Sequence, residues 1–405
     1  MLSRLIAASM PSSTKQNLWD IFCAVIDNYG DIGVCWRLAL QLVDEHDAHV
    51  RLWVDDLGAF QRICSVVDPR LKQQNVNGVD LHRWDKDFAE IEPGDVVVEA
   101  FACRLPESFE EAMARRPVRP CWINLDYLSA EAWISGCHAL PSPHPRLPLI
   151  KYFLFPGFDE TTGGLLRERD LAQKRSTFCA SREQQADFWR RIDQPPPAAD
   201  SLLISLFAYE NPVLPGLLDI WADSPTPVCC LAPVTRTLPA IEAFTGSPLR
   251  AGDVIRRGQL EIRMLPFASQ DDYDRLLWLC DINFVRGEDS FVRAQWAAKP
   301  FLWHIYPQDD NAHRVKLAAF LDRYCADLPK ATSTILRQLM ETWNGDESGD
   351  NQPLTATKTM ISPTLWASFM NVLPDLREKA VNWEKIRSKQ EDLCTSLFRF
   401  SRSKL

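Results

Sequence analysis

The chain has 405 residues, 46% of them hydrophobic and 24% charged, with a formal net charge of −9. That length and composition fit two globular domains with substantial cores. An acidic balance without a long Lys/Arg block argues against a nucleic-acid binder, and no apolar run is long enough to span a bilayer, so neither nucleic acid nor membrane is an expected partner. Taken in order, residues 1–17 hold a short apolar piece, Leu5 to Met10, and read as a disordered leader. Trp19 to Ile26 is an apolar run that predicts a buried strand. Asp27-Asn28-Tyr29-Gly30-Asp31-Ile32-Gly33 follows, and Val34 to Val43 then repeats its apolar residues at helical spacing. Strand, glycine-containing turn and helix form the opening unit of a doubly wound α/β domain, whose ligands bind at the carboxyl ends of the strands. Gly30 and Gly33 are candidates for positive φ or close backbone approach.

This turn is no dinucleotide fingerprint, because G-x-G-x-x-G is not met. Asp27 and Asp31 would repel a pyrophosphate; two carboxylates there suit a cation or serve as a base. The other reading of the same residues has Asp27 closing an Asx turn and Asp31 capping the helix, and the residues alone leave both open.

Strands are expected at Val50 to Val54, Val79 to Trp84, Val96 to Phe101 and Cys121 to Leu125, with a helix from Pro106 to Arg116. Residues 136–148 contain four prolines and read as loop, so Cys137, His138 and His144 are expected to be loop residues rather than metal ligands. The 12 cysteines include no C-x-x-C pair and read as free thiols of a reducing cytoplasm. Gln194-Pro195-Pro196-Pro197-Ala198-Ala199 is the strongest linker signal. It separates an expected first domain, residues 18–193, from a second, residues 201–365, with 194–200 as the linker. Strands in the second half are expected at Ser201 to Phe207, Val228 to Leu231, Leu260 to Leu265, Asp281 to Val285 and Phe301 to Ile305. Ser269 is placed to cap a helix that follows Pro266-Phe267. Gly345 to Gln352 reads as a polar loop, and residues 366–405 as a helical tail packing back on the first domain.

Arg286-Gly287-Glu288-Asp289-Ser290 mirrors the opening turn between a strand and the helix Phe291 to Ala298. Here a cation, a hydroxyl, a glycine and a helix start suit a diphosphate. Phe207, Tyr209, Phe267 and Gln270 follow other strands of the same half, so aromatic and polar groups converge at one sheet edge. The alternative is a helix cap by Asp289 or Ser290 with an Arg286–Glu288 surface pair.

The two turns, quoted with their flanks as Trp19-Asp20-Ile21-Phe22-Cys23 through Val34 and Arg286 through Gln295, resemble the signatures of the bacterial protein-arginine rhamnosyltransferases that modify translation elongation factor P. Leu265-Pro266-Phe267 with Gln270 and Asp271 is similar to a further family segment. The resemblance runs from about Trp19 nearly to the carboxyl end. It implies a GT-B fold of two Rossmann-like domains facing across a cleft. It also implies an inverting transfer of rhamnose from dTDP-β-L-rhamnose, without a metal cofactor, to an arginine of that factor in the cytoplasm, activating it for translation of polyproline stretches. By motif, Asp27, Asp31 and Glu288 become the functional acids, with Asp27 the general base. Phe207, Tyr209, Phe267, Gln270, Arg286, Gly287, Asp289 and Ser290 become contacts of the nucleotide sugar. An NAD(P)-dependent dehydrogenase and a non-catalytic nucleotide-binding protein are the alternatives. The missing dinucleotide fingerprint weighs against the first, and three acids at strand ends against the second.

Overall fold

The computed structural model describes residues 17–26, 29–85, 88, 90–308, 311–345 and 360–405. Asp27, the expected base, lies outside the described residues, as do almost all of the expected leader and most of the expected polar loop at 345–352.

Two sheets organise the chain. The first contains β1 (Leu18–Cys23), β2 (His49–Val54), β3 (Gln73–Val76), β4 (Val79–Arg83), β5 (Val96–Ala100), β6 (Cys121–Leu125), β7 (Leu140–Pro143) and β8 (Ile150–Leu154), in the order β3-β4-β2-β1-β5-β6-β8-β7. Its six central strands run parallel, and an antiparallel strand closes each edge. The second sheet contains β9 (Leu202–Leu206), β10 (Val228–Pro233), β11 (Val254–Arg257), β12 (Leu260–Leu265), β13 (Ile282–Arg286) and β14 (Phe301–His304), in the order β11-β12-β10-β9-β13-β14. It is parallel except for β11. The strand order reverses between β1 and β5 in one sheet and between β9 and β13 in the other. Loops leaving neighbouring strands part there and open a crevice. Both turns singled out in the sequence sit at these points.

The central strands are almost wholly buried, Val96–Ala100 and Cys121–Leu125 throughout, as parallel strands covered by helices on both faces must be. A carboxylate is tolerated inside β1 because its bonds are complete. Asp20, 0% exposed, accepts from Arg51 Nε and Nη2 at 2.7 Å each, from Trp53 Nε1 at 2.9 Å and from Gly94 N at 2.7 Å.

Residues 136–148 depart from the expected loop. Leu140–Pro143 pairs antiparallel with β8, Pro141 opposite Tyr152 and Pro143 opposite Ile150. Proline is admissible there because β7 is the outermost strand and needs no second row of donors. His138 Nδ1 accepts from Phe155 N and His144 Nδ1 from Leu147 N, so both imidazoles hold backbone. Among the described residues no group of three or more His, Cys, Asp or Glu side chains could hold a metal ion.

The halves exchange elements. Helices Leu171–Ala180 and Arg182–Arg191 send Phe178, Phe188 and Trp189 into the core of the second sheet, where Phe178 lies 5.6 Å from Trp278. Helix Leu393–Arg402 returns Leu393, Cys394 and Leu397 to the core of the first, with Phe398 stacked on Trp19 at 6.3 Å. No helix among the described residues is long and apolar enough to cross a membrane.

Candidate active site between the two sheets

The first turn enters helix Gly30–His46 without a side-chain cap. Asp31 lies inside the first helical turn and does not cap it; its Oδ2 accepts from Ile26 N at 3.0 Å, tying the helix start to the chain leaving β1. Tyr29 precedes the helix and reaches across to the second half, its ring 4.7 Å from Phe267. Gly30 and Gly33 are both helical. Gly33 provides close approach, since a Cβ there would lie 3.2 Å from Asp289 Oδ2 and 3.3 Å from Gln270 Nε2.

The second turn is held by its own backbone. Gly287 has φ +58°, the left-handed region that glycine enters at no steric cost. Its N–H donates to His304 O at 3.2 Å and its carbonyl accepts from Trp303 Nε1 at 2.7 Å. Ser290 Oγ accepts from Arg286 N at 2.9 Å and donates to Arg286 O. No side chain caps helix Asp289–Trp296, so its amino end is suited to an external anion. Arg286, 4% exposed, lies with its guanidinium carbon 4.6 Å from the Phe207 ring, 4.6 Å from Tyr209 and 5.8 Å from Tyr29. Planar guanidinium stacks well on such faces.

Arg286 forms no surface pair with Glu288. Glu288 points instead to the first half, where Leu128 N donates to both of its carboxylate oxygens at 3.0 and 3.1 Å. Removal from water, helped by the negative charges of Asp31 and Asp126, pushes its carboxyl up to about 8, although the Leu128 N–H opposes this. A raised folded pKa means that the proton bound by Glu288 stabilises the native chain below the ordinary carboxylate range. That contribution is lost as pH rises through about 8. Glu288→Gln, which still accepts from Leu128 N, should remove this dependence. Between about pH 5 and about pH 9 the parent melting temperature should fall relative to the variant. Parallel melting curves for the two chains would refute the assignment.

The two turns line one cavity. Phe207, Phe267, Gln270, Tyr273, Arg286, Asp289 and Ser290 come from the second half, and Tyr29, Gly30 and Ile63 from the first. Sequence reading did not single out Tyr29 as a wall, nor Ile63 and Tyr273. Tyr273 stands edge-on to Phe207 at 5.4 Å, and its position one helical turn after Ser269 was the available signal. Also missed was the buried cluster behind the cavity. Arg37 Nε donates to Asp289 Oδ1 at 2.9 Å, and its terminal nitrogens to both oxygens of Asp274 at 3.1 Å. Arg293 donates to Asp274 and, at 2.6 Å, to Glu168. Burial opposes ionisation of Glu168, but Arg293 and Arg37 outweigh it and hold the acid at about 2.

Two Rossmann-like sheets whose switch points face each other across a cleft, with cation and helix start on one side and acid on the other, define a glycosyltransferase of the GT-B type. Residues 19–402 match the family described as Elongation-Factor P (EF-P) rhamnosyltransferase EarP, and the chain belongs to that family of enzymes. It is 49% identical over 391 residues to a protein-arginine rhamnosyltransferase of Pseudomonas putida, covering 96% of this chain and 99% of that one. It is 40% identical to a protein-arginine rhamnosyltransferase of Shewanella oneidensis, covering 96% and 99%. A solved structure described as the basis for EarP-mediated arginine glycosylation of translation elongation factor EF-P shares 34% identity, with a TM-score of 0.66 over 96% of this chain and 100% of that one.

Proposed function

We propose that this chain transfers rhamnose, with inversion, from dTDP-β-L-rhamnose to an arginine side chain of translation elongation factor P in the cytoplasm. The observation that carries this reading is the meeting, in one cavity, of an aromatic-flanked arginine and a helix start with the acid-bearing turn of the other half. Arg286 and the amino end of helix Asp289–Trp296 take the diphosphate and stabilise the charge it gains on leaving. Phe207 and Phe267 offer ring faces to the base, and Tyr209, Gln270, Gly287 and Ser290 complete the donor side. The second sheet forms the donor domain and the first sheet the acceptor domain; the expected boundary at 194–200 shifts, because helices Leu171–Ala180 and Arg182–Arg191 join the second core, as do Trp366, Leu376 and Trp383 of the tail expected on the first domain. No metal is required, because the leaving group is neutralised by the chain's own cation and helix start.

On the acceptor side Asp27 and Asp31 hold the planar N–H fork of the guanidinium. A protonated guanidinium is a poor nucleophile, so Asp27 accepts the proton as nitrogen attacks the anomeric carbon from the face opposite the diphosphate. Glu288, neutral near pH 7, stands beside an anionic donor without repelling it. Intact-mass measurement of elongation factor P after incubation with the chain and dTDP-rhamnose tests the reading. One added deoxyhexose per factor, located on arginine, is expected, and an unmodified factor would overturn it. A thermal-shift panel with dTDP, UDP, GDP and NAD should show selective stabilisation by dTDP.

A further inference from the structure

We propose that Arg37 is a positioning residue that couples occupation of the donor pocket to closure of the two halves. The inference rests on the reading of that pocket as a nucleoside-diphosphate site. Arg37 is carried by helix Gly30–His46 of the first half and is 4% exposed. Its three strongest bonds all cross to the second half, to Asp289 Oδ1 and to both oxygens of Asp274.

The two acids it reaches are held differently. Asp274 also has Arg293, a neighbour within its own half, as a partner. Its charge therefore stays compensated whether or not the halves meet. Among the described residues, the side chains hydrogen-bonded to Asp289 are those of Arg37 and, at 3.3 Å, Gln270 Nε2. Asp289 also lines the donor pocket, next to Arg286 and Ser290. With the halves apart, its carboxylate keeps the longer-range field of Arg293 but has no cation hydrogen-bonded to it as it faces the place of an anionic diphosphate. With the halves together, Arg37 neutralises it. The anionic donor and the Arg37 contact therefore favour each other, and linkage makes the preference reciprocal.

Two further contacts make closure specific. Gln270 Nε2 donates to Gly33 O at 3.0 Å, so the side chain that holds Asp289 also grips the opposing helix backbone. The absence of a Cβ at Gly33 lets Asp289 and Gln270 come within 3.2 and 3.3 Å of where it would stand. Closure also brings Tyr29 and Ile63 onto the pocket, completing the wall.

The test uses the full chain, with dTDP as the probe in calorimetry and in small-angle scattering. dTDP should compact the parent, and Arg37→Gln should weaken dTDP by about 5- to 150-fold and abolish that compaction; a parent that binds dTDP without compacting would also overturn the proposal. In an Asp289→Asn background the same change should cost far less, because the charge to be neutralised is gone. Gly33→Ala preserves every charge and favours helix, so it serves if Arg37→Gln does not fold; its added methyl should likewise weaken dTDP and compaction. A lowered melting temperature with unchanged dTDP affinity and compaction would make Arg37 a structural ion pair and overturn the proposal. Failure of the parent chain to bind dTDP, UDP or GDP would instead bring down the reading of the pocket, and the proposal with it.

Discussion

Asp27→Asn is expected to reduce rhamnosyl transfer by ~10²–10⁴-fold at saturating donor, the usual contribution of a positioned general base, while donor binding stays close to that of the parent chain. Asn is nearly the same size and still accepts hydrogen bonds, so the turn and its packing should survive. What disappears is the negative charge that holds guanidinium and the basicity that takes its proton. Donor binding should be spared because the expected diphosphate contacts belong to the second half. The measurement is transfer to the acceptor protein beside a direct donor titration. Near-normal turnover with intact stability would make Asp27 an Asx-turn residue and move the base elsewhere.

Arg286→Ala should act on the opposite side of the reaction. Hydrogen bonds to charged groups contribute about 1.5–3 kcal/mol, so donor affinity should fall roughly 10- to 100-fold. The loss includes more than charge. The guanidinium lies over Phe207 and Tyr209 at 4.6 Å each, and its removal leaves both rings without that partner. Arg286→Lys keeps the charge but not the flat stacking surface, and should fall between parent and alanine. Calorimetry with dTDP orders the three chains. An alanine variant that binds dTDP as tightly as the parent would place the diphosphate elsewhere.

The parallel frame was legible because buried strands such as Val96–Ala100 and Cys121–Leu125 are continuous apolar runs set between helical patterns. The edges were not. Leu140–Pro143 carries loop residues because an outermost strand obeys weaker rules. Of the β3–β4 hairpin, Val79–Arg83 was read and Gln73–Val76 was not, its residues being too polar to signal a strand; the turn between them is Asn77-Gly78, both at positive φ. Within the site, the two turns were readable because glycine and charge are rare together between a strand and a helix. Arg37, Arg293, Asp274 and Glu168 were not readable. Each sits in a helix or loop where a charged residue ordinarily faces water, and only the packing of the two halves turns them inward. Ile63 and Tyr29 escaped for the same reason, as walls that exist only where two distant pieces of chain meet.

Helix Leu393–Arg402 has a consequence for how the molecule is made. The first sheet is synthesised early, yet part of its core, Leu393, Cys394 and Leu397, together with the ring that covers Trp19, comes from almost the far end of the sequence. Burying one such leucine contributes about 1.5–3 kcal/mol, a large share of the stability of a domain this size. A nascent first half therefore leaves the ribosome with an open apolar groove and remains so until the second half has emerged behind it. Its maturation is tied to synthesis of helix Leu393–Arg402, and a polypeptide interrupted before it should be a client of chaperones rather than a folded fragment.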